Sequence, residues 1–128
     1  MAEAGIIASI KQGLSERGFT GDRAVAFTYR WSEGDYARLP QLAADLVGKK
    51  VSVIAASGLP AALAAKAATS TIPIVFRLAV DPVAFDLVRS VDRPGGNVTG
   101  VTMLFDLLTP KKLELLHQVV PAATSVGF

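Results

Sequence analysis

The sequence predicts an α/β fold, a doubly wound parallel sheet of about four strands with helices on both faces. Three observations carry this expectation. The stretch Val51–Asp81, VSVIAASGLPAALAAKAATSTIPIVFRLAVD, reads as apolar strand, small-residue turn, alanine-rich helix, second apolar strand and an Asp-Pro restart. That succession is a βαβ unit. Helical and strand periodicities alternate along the whole chain in the order α-β-α-β-α-β-α-β-α, the pattern of a parallel sheet. Finally, Val51–Ala56 is apolar almost throughout, as in strands covered on both faces.

Taken in order, the first element is a helix over about Glu3–Arg17, with Ile6, Ile7, Ile10 and Leu14 near helical spacing and Gly18 as its left-handed stop. Arg23–Trp31, RAVAFTYRW, alternates as a strand, with Val25, Phe27 and Tyr29 on one face. Ser32–Asp35 is a turn. A helix over about Leu39–Val47 follows, with Pro40 in its first turn and Gly48 near its end.

Beyond the strand Val51–Ala56, the helix over about Pro60–Thr69 carries six alanines, small enough for close approach to a sheet. Ile72–Leu78 is the next strand, and Pro73, which cannot donate to a ladder, belongs at its beginning. Asp81 caps a further helix with Pro82 in its first position and Val83, Leu87, Val88 and Val91 inward. Arg93–Asn97 is a tight turn, Val98–Met103 a strand, and Thr109–Val120 a helix ended by Pro121. Val126–Phe128 reads as the start of another strand. The chain opens on the helix that should follow a strand and closes on a strand just begun.

Composition narrows the function classes. At 128 residues the chain is one domain or part of a larger one. Half of it is hydrophobic but only 7% aromatic, so its core is built of Ala, Val, Leu and Ile. The longest uncharged run, Val51–Ala65, is interrupted by Ser52, Ser57, Gly58 and Pro60 and falls short of the roughly 20 apolar residues a membrane helix needs. Thirteen basic against eleven acidic residues give a net charge of +2, with no Lys/Arg stripe interleaved with aromatics. Nucleic acid is therefore not an expected partner. Lys49–Lys50 and Lys111–Lys112 are pairs on solvated surface.

Absence of cysteine excludes disulfides and thiolate metal sites. His117 is the lone histidine and lacks the companions a metal site requires, and no cofactor is expected. No serine elbow, phosphate-cradling loop or spaced carboxylate pair is present, so an enzyme is not expected either. Gly95-Gly96-Asn97 precedes a strand instead of joining strand to helix, and is a turn, not a dinucleotide fingerprint.

Five segments form a distinctive set: KQGLSERGF, YRWSEGDYARLPQLAADLV, ALAAKAATSTIPIVF, DPVAFDLVRSVDRPGGNVTGVT and PKKLELLHQVVP. Together they closely resemble the ABC-transporter substrate-binding protein family of the tryptophan-binding-like kind, with the type I periplasmic-binding-protein fold. The resemblance implies two α/β lobes around a ligand cleft and delivery of a small solute, such as an amino acid, to an ABC permease. On this alignment residues 1–104 are an incomplete first lobe, and 105–128 are the crossover and first helix of a second. It implies a periplasmic location; the N-terminus shows no signal peptide, so a native start at Met1 would mean a cytoplasmic one.

The candidate ligand-binding residues are Ser57, Gly58, Leu59, Val80, Asp81 and Trp31. Ser57–Leu59 ends a strand and opens a helix, where free backbone N–H groups and a hydroxyl suit a carboxylate. The competing reading makes Ser57 the cap of its own helix. Val80-Asp81-Pro82 is the equivalent turn after the next strand; Asp81 is either an acceptor for a ligand amino group or only a cap. Trp31 lines the same edge or covers a hydrophobic rim.

Two alternatives to solute capture remain open at this point. One is an oligomeric remnant without a ligand, in which a homodimer buries the exposed sheet edge and the apolar face Leu113, Leu116, Val119 and Val120. The other is a nucleotide-binding or enzymatic domain on the same scaffold.

Overall fold

Backbone pairing, more than sequence periodicity, decides which of these elements form. The computed structural model of the chain describes residues 2–103, 108–122 and 124–125. It divides into two compact units, Met1–Arg30 and Trp31–Phe128.

In the first unit, helix α1 spans Ala2–Glu16. Gly18, at φ 82°, closes it by a paired left-handed cap: the Phe19 N–H donates to Leu14 O and the Gly18 N–H to Ser15 O, both at 3.0 Å. The expected strand Arg23–Trp31 does not form. A 3-10 turn occupies Gly21–Arg23; Ala24 leaves it extended, and the residues beyond take part in no ladder among the described residues. Alternation supplies a strand's side-chain order, whereas a strand also needs a partner for its N–H and C=O groups. The order itself is present: Phe27 and Tyr29 stack with centroids 5.9 Å apart and planes 8° from parallel. The Lys11 ammonium lies over both rings.

The second unit opens with the Ser32–Asp35 turn, whose central residues Glu33 and Gly34 both have positive φ. Asp35 then caps the 3-10 turn Tyr36–Arg38, accepting from the Ala37 N–H at 3.0 Å. Helix α2 follows over Leu39–Gly48 with Pro40 in its first turn. Its left-handed stop is Lys50, at φ 53°, not Gly48. Strand β1 is Ile54–Ser57, helix α3 Leu59–Ala68, strand β2 Ile74–Leu78, strand β3 Val98–Thr102 and helix α4 Thr109–Val119.

The α/β class is as expected; among the described residues the parallel sheet has three strands, not four, in the order β1-β2-β3. Ile54, Ile74 and Val98 stand in one row and Ala56, Phe76 and Gly100 in the next. Both rows face α3, whose Ala62 and Ala65 are buried against them, and the sequestered cluster extends to Leu78, Leu87 and Val88. Fully burying a side chain such as Ile74 stabilises the unit by about 1.5–3 kcal/mol. Pro73 lies just before β2, where its carbonyl accepts from the Ile54 N–H at 2.9 Å.

Gly100 is required by this packing. A Cβ there would sit 2.1 Å from Phe76 O and 2.6 Å from Phe76 Cδ2. Phe76 lies across the gap that the missing side chain leaves.

The opposite sheet face departs from the expectation of helices on both sides. Ala55, Ser57, Val75, Arg77, Thr99 and Val101 are all exposed. Strands β1 and β2 alternate buried with exposed residues, and the apolar run in β1 reflects small residues rather than double coverage.

The helix expected after Asp81 shrinks to a single turn. Asp81 does cap it, accepting from the Val83 N–H at 2.9 Å. Asp86, at φ 53°, then ends it in the same way as Gly18 ends α1, through bonds from Leu87 N–H to Pro82 O and Asp86 N–H to Val83 O. The reason is packing: Leu87 and Val88, adjacent in sequence, are both buried, and Pro82 is fully so. Val83 and Val91, expected to point inward, are 37% and 61% exposed. The Lys66 ammonium donates to the Asp86 carbonyl and ties the turn to α3.

The apolar residues of α4 are exposed, from 40% at Leu116 to 78% at Val119. The strand start expected at Val126–Phe128 lies outside the described residues. Among the described residues no helix is long and apolar enough to cross a membrane.

Candidate functional site

The carboxyl ends of β1 and β2 lie side by side, with Ser57 and Arg77 as register partners. Two turns depart from them, and such strand ends are where open α/β sheets hold ligands. After β1 the Gly58 N–H donates to Arg77 O at 3.0 Å, and Gly58 then takes φ 88° and ψ 154°. That conformation favours glycine and swings the chain directly into α3.

Gly58, not Ser57, is the N-cap of α3, and no side chain caps the helix. The capping role weighed for Ser57 is therefore not the one it has. Its hydroxyl is exposed at the strand end, without a hydrogen-bond partner among the described residues. The first intrahelical bond runs from Ala62 N–H to Gly58 O at 3.1 Å. Pro60 brings no donor, so the Leu59 and Ala61 amides are the first-turn N–H groups left for another acceptor.

The second turn, Val80-Asp81-Pro82, follows β2. Pro82 is buried and pins it from below. The Asp81 carboxylate is engaged by the Val83 N–H, as the capping reading has it. The half-buried Val80 offers its carbonyl to the Thr102 hydroxyl at 2.6 Å. The Met103 N–H donates to Leu78 O at 3.0 Å, so the end of β3 grips the chain on both sides of Ala79.

Ser57, Gly58, Leu59, Val80 and Asp81 are thus placed at neighbouring strand ends. Trp31 is not on a strand; it precedes the Ser32–Asp35 turn and is 42% exposed.

Two residues at these strand ends escaped the sequence reading. Arg77 is exposed beside Ser57, and its guanidinium has no hydrogen-bond or ion-pair partner among the described residues. Its signal was a single charge inside the apolar run IPIVFRLAV. Thr102 had no signal, because its role depends on register with Leu78.

An apolar hollow of about 250 Å³ lies on the core side, lined by Phe76, Pro82, Val88, Val91, Gly100 and Thr102 among others. Among the described residues no group of three His, Cys, Asp or Glu side chains converges on a possible metal position. His117 is exposed on α4.

Comparison with known proteins gives this arrangement a context. Residues 2–128 match the family model described as ABC transporter substrate binding protein. A tyrosine-binding protein from Clostridioides difficile is 31% identical over 116 residues, which is 91% of this chain and 33% of that protein. A conserved domain protein from Vibrio cholerae superposes with a TM-score of 0.76 at 34% identity, covering 88% of this chain and 37% of its own. An ABC domain from Streptococcus pneumonia, solved in complex with L-Trp, superposes with a TM-score of 0.67 at 30% identity, covering 80% and 37%. The chain therefore spans about a third of the length of these relatives. This is a family of substrate-binding proteins, not of enzymes, and the present chain belongs to the ABC transporter substrate-binding protein family.

Proposed function

We propose that the chain supplies one wall of an amino-acid site in the solute-binding component of an ABC import system. The observation that carries this reading is the convergence at two adjacent strand ends. There the Ser57 hydroxyl, the free first-turn amides of α3 and the Arg77 guanidinium offer donors for a carboxylate. The Val80–Pro82 turn offers acceptors next to them. The L-Trp and tyrosine recognition named for two relatives points to an aromatic amino acid as the first ligand to try.

In this reading residues 1–104 are the first lobe of a type I periplasmic-binding-protein fold, and 105–128 lead into the second. Trp31 lines the cleft, no cofactor takes part, and an ABC permease is the downstream partner in the periplasm. Capture is completed by closure of the second lobe, a hinge movement driven by ligand contacts on both sides.

The test is a titration of the isotope-labelled chain with L-tryptophan and L-tyrosine, followed by amide NMR. Saturable shifts at Ser57–Leu59 and Val80–Asp81 are expected, weakened several-fold in S57A and R77A. Unchanged spectra at millimolar ligand would overturn the reading, and binding of a nucleotide instead would favour an enzymatic or nucleotide-binding domain.

A homodimer is a second reading, favoured by the exposed face of Val75 and Val101 and by the uncovered Leu113 and Leu116 of α4. Sedimentation equilibrium tests it: a mass near twice 13.4 kDa is expected, and a monomer at 100 μM would exclude it.

A further inference from the structure

We infer that Thr102 is a positioning residue for the ligand site, holding the Val80-Asp81-Pro82 turn through its hydroxyl. The inference rests on the site proposed above, but its structural half stands by itself. Thr102 pairs in register with Leu78, the last residue of β2, and its Oγ1 donates to Val80 O at 2.6 Å, two residues past the strand. The adjoining Met103 N–H donates to Leu78 O. These two bonds carry β3's grip beyond the end of β2 and fix the direction in which the turn leaves the sheet.

Among the described residues no other side chain on the sheet side bonds to this turn. Among the described residues the Asp81 carboxylate bonds within its own turn, accepting from the Val83 N–H. Pro82 is held by apolar burial, which fixes depth but not orientation. A hydrogen bond to a half-buried carbonyl is directional, and so determines which way the Val80–Asp81 peptide faces.

Thr102 is also the last residue of β3, from which the chain departs toward α4. One hydroxyl therefore joins the ligand turn to the segment by which the chain leaves this sheet.

The experiment compares the 128-residue chain with T102V, which keeps the shape and removes the donor, and with T102S, which keeps the donor. In the ligand-free state, amide exchange at Val83 and Leu87, whose N–H groups bond within the turn, should quicken about fivefold in T102V, the loss expected for one net hydrogen bond. Ile74 and Phe76 amides should keep their protection, and T102S should restore the turn. With L-tryptophan, T102V should bind about fivefold more weakly and lose the shift at Asp81 while keeping the one at Gly58.

Unchanged exchange at Val83 and Leu87 in T102V would overturn the inference. So would equal acceleration of the core amides, which would mark Thr102 as a general stabiliser, or failure of T102S to rescue. If the turn loosens as stated while the parent chain binds neither amino acid, the positioning role stands and the amino-acid reading of the site falls.

Discussion

The side-chain amide of Asn97 donates to Ile72 O at 2.8 Å and to Thr69 O at 3.1 Å, tying the turn before β3 to the loop between α3 and β2. Its backbone carbonyl meanwhile accepts from the Ile74 N–H at 2.7 Å. One residue thus sets both the start of β3 and the register of β2. Replacing Asn97 by Ala leaves two partly buried carbonyls without donors and is expected to cost about 2–3 kcal/mol. Urea unfolding checks this: the midpoint should fall with little change in slope, and a loss under about 0.5 kcal/mol would contradict it.

Gly100→Ala should be far more damaging than an exposed Gly→Ala change. The new methyl group meets the Phe76 carbonyl and ring, and backbone cannot yield as a flexible side chain does. A loss of about 3 kcal/mol or more, or failure to fold, is expected. A thermal midpoint within 2–3 °C of the parent, corresponding to under about 1 kcal/mol, would refute the packing described.

Asp86→Gly should stabilise. The residue sits at φ 53°, where an L side chain costs about 1 kcal/mol, and its described hydrogen bonds, to Lys66 and to Val83, use backbone groups that glycine retains. A gain of about 0.5–1 kcal/mol in chemical unfolding is expected, and destabilisation would show that the carboxylate has work of its own.

Asp81→Ala should cost about 1 kcal/mol through loss of the Val83 cap, and Asp81→Asn much less. The pair separates capping from charge: if Asn weakens amino-acid binding while leaving stability intact, the carboxylate serves the ligand as well as the turn.

Much of the fold was legible because local and tertiary preferences agree. The bounds of α2, α3 and α4 follow from their prolines and apolar stripes, and Pro73 falls where a residue without a donor must. Where they disagree, tertiary packing prevails. Asp81–Val91 has the composition of a helix, but the simultaneous burial of Leu87 and Val88 bends it out of one. Arg23–Trp31 has a strand's alternation without a strand's partner.

The candidate site was half legible for the same reason. Ser57, Gly58 and Asp81 announce themselves at turns between periodic segments. Arg77 and Thr102 gain their meaning only from register with Ser57 and Leu78 across the sheet.

The contact between Gly100 and Phe76 also constrains how this sequence can change. A smaller residue at position 76 removes the ring but not the carbonyl, which would still stand 2.1 Å from a Cβ at position 100. Shortening the side chain at 76 is therefore expected to leave Gly100→Ala damaging. A lineage that kept this pairing of β2 with β3 would have kept the glycine with it.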